Sequence, residues 1–250
     1  MSVKPYSKNF LNEVIIRLDF VDETPSINRI LPESIARTAK TVLPISEVGN
    51  MFTQELQLSP QGFQSASNLP PKKEWKFSSR ERKLSVSIGD KWIYITCSKY
   101  DSFESFFETF TLVADQLFAA FPDIMISRIG LRYVNNLVVQ EIETPLSWSE
   151  YINEKYTGTL SLYDEKKYTR AISIIEIDNK DYMQKIQFGL FNPDYPSTIL
   201  KKEFVIDIDC FNTGLTYIGD YKEIVKLMHA GAKSVFEGFI TDKMRAKLYE

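Results

Sequence analysis

The chain has 250 residues, of which 44% are hydrophobic and 25% charged, a balance typical of a folded globular protein. A net charge of −3 and a pI near 5.5 argue against a dedicated nucleic-acid-binding protein, which usually carries a basic excess. Two cysteines do not make a disulfide framework. The sequence shows neither an apolar leader nor an apolar run long enough to cross a membrane, which predicts a cytoplasmic protein.

The first half of the chain predicts one α+β unit. Apolar and polar residues alternate in its strands, whereas its long helix shows apolar residues at steps of three and four. The segment Ser59–Lys73 is rich in proline and predicts a long loop. The predicted elements are a strand at Glu13–Phe20, a helix at Pro32–Leu43, strands at Phe52–Leu58, Trp75–Ser79, Lys83–Ile88 and Trp92–Cys97, and a helix at Asp101–Phe121.

The second half predicts the same kinds of element in a similar order. It opens with a strand inside Ile124–Val139 and ends with a second long helix. The remaining elements are a short helix at Trp148–Tyr156, strands at Tyr168–Asp178, Tyr182–Phe191 and Glu203–Phe211, the long helix at Asp220–Phe239, and a turn or short helix at Ile240–Leu248.

The two long helices share a plan. Asp101 with Glu104, and Asp220 with Glu223, have the spacing of a capping box. Each helix also follows an alternating strand that ends in cysteine. We interpret residues 1–123 and 124–250 as two pseudo-repeats of strand, short helix, antiparallel strands and long helix, the order of the TATA-box-binding-protein-like plan. One curved sheet would then carry both long helices on one side, with two separate small sheets as the competing arrangement.

The opposite face of such a sheet would be open and would mix arginines with carboxylates. Arg17 and Arg132 occupy equivalent positions of the two opening strands, and Arg128 shares the face of Arg132. One interpretation is a solvated face with cross-strand ion pairs, each of which contributes little to stability. The other is a recognition surface for a peptide, a protein or an anionic ligand, in which guanidinium groups bind the anion.

A metal site is a third interpretation of the same face. Asp207 and Asp209 lie on one side of their strand, and Glu176 or Asp178 from a neighbouring strand would add a further oxygen ligand for Mg²⁺. Two such ions would suit phosphoryl transfer. This alternative predicts a metal-dependent enzyme acting on phosphate esters or nucleic acid; without it, no cofactor is predicted.

Other catalytic signatures are absent from the sequence. His229 is the single histidine, which excludes a histidine-rich zinc site. Both cysteines fall on the apolar side of their strands, which favours buried inert thiols over a Cys–His dyad. The glycine-rich phosphate-binding and nucleophile-elbow motifs do not occur.

Four short motifs carry a resemblance. They are Gly130-Leu131-Arg132-Tyr133-Val134-Asn135, the Glu13-Val14 opening strand, Trp75-x-Phe77 and the ending Phe236-x-x-x-Ile240-Thr241. In this order they resemble a sporadically distributed family of uncharacterised bacterial proteins of similar length. The resemblance implies a bacterial cytoplasmic protein from mobile or accessory gene neighbourhoods and directs attention to Arg132 and Asn135. It implies no activity and no catalytic residues.

The sequence therefore predicts a binding protein within an accessory or defence system. Its partner would be a protein or a small anionic ligand, and a homodimer is left open. The predicted binding residues are Arg17, Arg128, Arg132 and Asn135.

Overall fold

The computed structural model describes residues 6, 10–51, 55–59, 62–66, 71–164 and 167–250. Within them the chain forms a mixed α+β protein with a large antiparallel sheet and five α-helices, which confirms the predicted fold class at this level. None of the helices in the described ranges is long and apolar enough to cross a membrane.

Twelve strands are present in the described residues. They are β1 (Leu11–Phe20), β2 (Ile45–Met51), β3 (Glu55–Ser59), β4 (Gly62–Ala66), β5 (Lys72–Ser78), β6 (Leu84–Ile88), β7 (Trp92–Cys97), β8 (Met125–Val138), β9 (Ala171–Asp178), β10 (Met183–Leu190), β11 (Glu203–Asn212) and β12 (Thr216–Tyr217).

Ten of these strands form one sheet in the order β2-β5-β6-β7-β1-β8-β11-β10-β9, with β12 added beside one end of β8. The central pair, β1 and β8, is antiparallel and places Ile16 opposite Leu131. β3 and β4 pair only with each other within the described part of the chain. The sheet therefore continues without a break from the first half of the chain into the second.

The helices are α1 (Glu33–Val42), α2 (Phe103–Ala120), α3 (Glu154–Thr157), α4 (Tyr221–Phe239) and α5 (Asp242–Tyr249).

Both long helices cover the same face of the sheet. In β1 the side chains of Val14, Ile16 and Leu18 are fully buried, and they alternate with the half-buried Ile15 and Arg17. The α2 and α4 helices lie antiparallel, because Phe103 at the start of α2 stacks on His229 while Phe118 near its end contacts Tyr221. The apolar stripe predicted for α2 is buried, with Phe121 half-buried just beyond the last turn.

Several local predictions need correction. The cap of α2 is Ser102, whose Oγ accepts from the Ser105 amide at 3.2 Å, so the predicted capping box starts one residue too early. Asp220 precedes α4 without a side-chain capping bond. On α4, the spacing of Ile224, Leu227 and Met228 predicts one apolar stripe, but Leu227 is 44% exposed while Val225 is buried.

The predicted boundaries fail most where turns replace regular structure. The helix expected at Trp148–Tyr156 is reduced to the four residues of α3. The loop expected at Ser59–Lys73 contains β4 and the start of β5. The strand expected at Phe52–Leu58 lies partly outside the described residues, which resume at Glu55.

Candidate functional site

A cavity of about 380 Å³ lies on the helix-covered side of the sheet, between the start of α2 and the middle of α4. Its volume falls within the range of small-molecule binding pockets, which are mostly apolar with a few fixed polar groups. Its lining includes Tyr100, Phe103, Tyr133, Asn135, His229 and Phe236.

Three polar side chains lie together in this cavity. The hydroxyl of Tyr133 lies 2.8 Å from Nδ1 of His229. The ring of Tyr100 packs edge-on against the ring of Tyr133, with the two centroids 6.1 Å apart. A neutral imidazole has one acceptor nitrogen, so a proton donated by Tyr133 to Nδ1 places the ring proton on Nε2.

The sequence positions these groups through three different elements. Tyr133 belongs to the inward-facing alternation of β8, and Tyr100 lies in the middle of the connection between β7 and α2. His229 faces α2 from the α4 helix, where its ring stacks on Phe103 at 3.9 Å with an interplanar angle of 1°. Because Ser102 caps α2, Phe103 is the first helical residue, and this start point brings its ring beneath the imidazole.

Burial keeps the side chains of Tyr100, Tyr133 and His229 neutral near pH 7. Desolvation raises the pKa of Tyr133 well above its usual value and also raises the pKa of Tyr100. Desolvation, with a smaller contribution from the Lys233 ammonium, lowers the pKa of His229 to about 4. The cavity therefore offers uncharged hydrogen-bonding groups, and neither tyrosine nor His229 has a pKa near neutrality.

Charged side chains lie around these neutral groups. Asp101 and Glu104 at the start of α2, and Lys233 on α4, are exposed members of the lining. On another side, Glu237 accepts a hydrogen bond from the Tyr6 hydroxyl and pairs with Arg245 at 3.1 Å. Apart from Glu237, which has its own cation, the charges that the described residues contribute to the lining are two carboxylates and one ammonium.

The predicted arginines lie together on the opposite, open face of the sheet, and each faces an aspartate. Arg132 donates two hydrogen bonds to Asp207, from Nε at 2.8 Å and from Nη2 at 2.6 Å. The Nη2 atom of Arg17 lies 2.6 Å from an Asp19 oxygen. An anion bound here would have to replace these carboxylates, so the predicted anion-binding role of the arginines stays a prediction.

Arg128 lies between two carboxylates at longer range. Its guanidinium is 3.7 Å from Asp19 and 4.0 Å from Asp209. A Cβ atom built on Gly130 would come within 2.8 Å of Nη1 of Arg128, so the glycine leaves the space in which this guanidinium lies. Desolvation raises the pKa of Asp209, and the Arg128 charge opposes that rise.

The three predicted metal ligands do not form a metal site. No group of three His, Cys, Asp or Glu side chains in the described ranges could hold an ion together. Asp207 is engaged by Arg132, and Glu176 pairs with Lys185 at 3.7 Å. The physical reason is strand order: β10 separates β9 from β11, which puts Glu176 about two strand spacings, roughly 10 Å, from the aspartates.

Asn135 lies apart from the predicted arginines. Its side chain is buried on the helix-covered face, lines the cavity and donates from Nδ2 to the Ile206 carbonyl at 3.2 Å. The structure therefore divides the four predicted binding residues between the two faces of the sheet.

Sequence reasoning missed Tyr100, Tyr133 and His229 as one group. A single histidine beside a methionine indicates the edge of a packed helix, and His229 is half-buried there. One weak signal for the group is present in the sequence. Tyr133 occupies an inward-facing position of β8, and a buried tyrosine hydroxyl requires a hydrogen-bond partner. Both cysteines are buried free thiols, and burial raises the pKa of Cys210 to about 12.

Comparison of the chain with protein-family models, with curated proteins and with solved structures found no match.

Proposed function

We propose that this protein binds a small molecule in the cavity between α2 and α4. The observation that carries the proposal is the hydrogen bond between Tyr133 and His229, with Tyr100 packed beside it, in the lining of a cavity of about 380 Å³. Fixed polar groups in a mostly apolar cavity are the general features of ligand sites. Binding is favoured over acid–base catalysis because the pKa values of these three side chains lie far from neutrality.

The lining also indicates the class of ligand. Phe103, Phe236 and the two tyrosines provide aromatic surface, which favours a ligand with an aromatic or apolar body. In the described part of the chain, Asp101 and Glu104 outnumber Lys233 among the exposed charges of the lining, so we expect a cationic head group to bind better than an anionic one. The ligand proposed for the cavity therefore differs from the small anionic ligand predicted from the arginines, which face aspartates on the other side of the sheet.

Ligand-observed NMR with a library of aromatic fragments tests the proposal. Within the library, 2-phenylethylamine and 3-phenylpropanoate carry opposite charges on the same ring, and we expect the amine to bind more tightly. A thermal melt gives the second reading, because a ligand at about one hundred times its dissociation constant stabilises the folded state by about 2.7 kcal/mol.

Two substitutions on α4 control for the site. Ala232→Phe places a ring in the cavity, where Ala232 is buried, and should abolish binding. Ala230→Phe makes the same enlargement at an exposed position of the same helix and should leave binding intact. Fragment binding that survives Ala232→Phe, or a library without a single binder, would contradict the proposal.

We also infer that residues 1–123 and 124–250 are pseudo-repeats on the TATA-box-binding-protein-like plan. The inference is supported by the strand order, in which the opening strands β1 and β8 meet at the centre and the last long strand of each half, β7 or β11, lies beside its own opening strand. The first half contributes five strands to this order and the second four. Superposition of residues 11–120 on 125–239 in an experimental structure tests it, and helices that fail to superpose when the strands do would contradict it.

The bacterial origin and the accessory or defence context stay predictions from the sequence resemblance.

A further inference from the structure

The edge strand β9 has few of the features that usually protect a sheet edge. Its eight residues, Ala171–Asp178, contain no proline, glycine or lysine, and their only charges are Glu176 and Asp178 near one end. Ile174, Ile175 and Ile177 are all exposed, Ile174 by 56%. Among the described residues β10 is the only strand that pairs with β9, so the other edge of β9 presents its backbone donors and acceptors.

Exposed apolar side chains concentrate around this strand. Of seventeen large hydrophobic residues that are exposed in the described ranges, seven fall between Leu162 and Leu200. They include Tyr163, whose ring contacts that of Tyr168 just before β9, and Tyr195, whose ring lies 4.3 Å from the Arg170 guanidinium carbon. The apolar surface therefore extends beyond the strand, and large patches of this kind mark interaction sites.

The charges at the two ends of β9 are complementary to each other. Arg170 directly precedes the strand and Asp178 ends it. In an antiparallel pair of identical strands, the positive start of each copy lies beside the negative end of the other. A parallel pair would put like charges together, which is unfavourable.

We propose that the β9 edge pairs antiparallel with the β9 edge of a second copy of this chain. A two-fold axis perpendicular to the sheet at Ile174 places Ile174 opposite its own copy and Arg170 opposite Asp178 of the partner subunit. Centring the axis on Ile175 instead would put Arg170 opposite Lys180, so charge favours the first register. The two sheets then continue into one another, and the exposed isoleucines are covered.

The oligomeric state and one edge substitution test the interface. Sedimentation velocity should give a particle of twice the 28.9 kDa chain mass. Ile174→Lys should raise the dissociation constant by at least about tenfold, because an edge lysine opposes strand pairing. The side chain is exposed in the single chain, so the melting temperature measured at low concentration should hardly change.

Charge reversal gives a test that includes its own rescue. Arg170→Asp and Asp178→Arg should each weaken the dimer by about tenfold, because each puts like charges opposite one another. The double variant, with both reversals in one chain, exchanges the two charges and should restore the dimer. This rescue separates the interface from the local contacts of Arg170 with Tyr195 and of Asp178 with the Lys180 amide.

A disulfide tests the register. Directly opposite residues of an antiparallel pair have Cα atoms about 4.5–5.5 Å apart, within the range that a disulfide needs. Ile174→Cys should therefore cross-link under mild oxidation. Val48→Cys, 53% exposed on β2 at the other edge of the sheet, should not.

Three results would overturn the inference: a single-chain mass at every concentration, a dimer that both charge reversals leave unchanged, or cross-linking through Val48→Cys alone. A dimer that dissociates with Ile174→Lys and recovers in the charge-exchanged variant would establish it. Because β9 lies outside the cavity lining, failure here would leave the proposed ligand site intact.

Discussion

The two faces of the sheet hold polar side chains in opposite ways. On the open face, Arg17 and Arg132 meet aspartates at 2.6 Å, and the arginine side chains remain 42% and 46% exposed. On the helix-covered face, Tyr133 and His229 are largely removed from water and depend on each other. The charged face attracts attention in the sequence, yet its groups already have partners, whereas the neutral groups of the covered face surround a cavity.

The two faces should also differ in how much their polar contacts stabilise the folded protein. Exposed ion pairs contribute little to stability, because water screens them and long side chains lose conformational freedom when they pair. Buried hydrogen bonds also contribute modestly in net terms, but a buried group left without its partner is costly. The same kind of substitution should therefore have a larger effect on the covered face than on the open one.

The largest effect is expected from Tyr133→Ala. Removing a buried aromatic ring leaves a cavity and also removes the partner of His229, so the free energy of unfolding should fall by about 3–5 kcal/mol. Chemical denaturation measures the change. A loss below about 1 kcal/mol would mean that Tyr133 stabilises the protein no more than the open-face residues do. It would contradict the expected difference between the two faces.

Acid should destabilise the protein through His229. Its pKa is about 4 in the folded protein and 6.5 ordinarily, so the unfolded chain binds more protons in this window. The stabilising contribution is complete above pH 6.5 and is lost as the pH falls through about 4, by about 3 kcal/mol in total.

The variant His229→Gln isolates this contribution from the titration of carboxylates. We expect its free energy of unfolding to depend less steeply on pH between 6.5 and 4 than that of the natural chain. Parallel pH profiles for the two proteins would show that His229 titrates normally.

A subtler change, Tyr133→Phe, keeps the ring and removes only the hydroxyl that bonds to His229. The expected loss is about 1–2 kcal/mol, because a buried hydrogen-bonded group loses its partner. Combining it with His229→Phe should cost less than the sum of the two single changes, since both break the same bond. Strict additivity in denaturation experiments would argue against this coupling.

The smallest effect is expected on the open face. A double-mutant cycle with Arg132→Ala and Asp207→Ala should give a coupling energy of about 1 kcal/mol or less, and molar salt should reduce it further. A coupling above about 2 kcal/mol would show that the open face contributes as strongly as the covered one.

Much of the framework follows from local patterns in the sequence. The strand β7 begins and ends as predicted, and the buried positions of β1 follow the alternation of Val14, Ile16 and Leu18. Local patterns succeed here because burial on one face of a strand has a fixed period of two.

The cavity could not be predicted in the same way. Tyr100, Tyr133 and His229 belong to a connection, a strand and a helix that are far apart in the sequence, and only the packing of α2 against α4 brings them together. The scattered placement of the predicted metal ligands has a related origin. Alternation shows that Glu176 shares a face with Asp207, but it does not reveal that β10 lies between their strands.

The central pairing of β1 with β8 has a consequence for how the chain reaches its structure. The strand β1 is complete at Phe20, but its partner β8 begins only at Met125, so more than one hundred residues must be made before the pair can form. Non-local pairing of this kind slows folding and leaves a strand edge open meanwhile. A chain emerging from the ribosome would present β1 as an unfinished edge, and fragments divided at Pro122 should find each other through the same two strands.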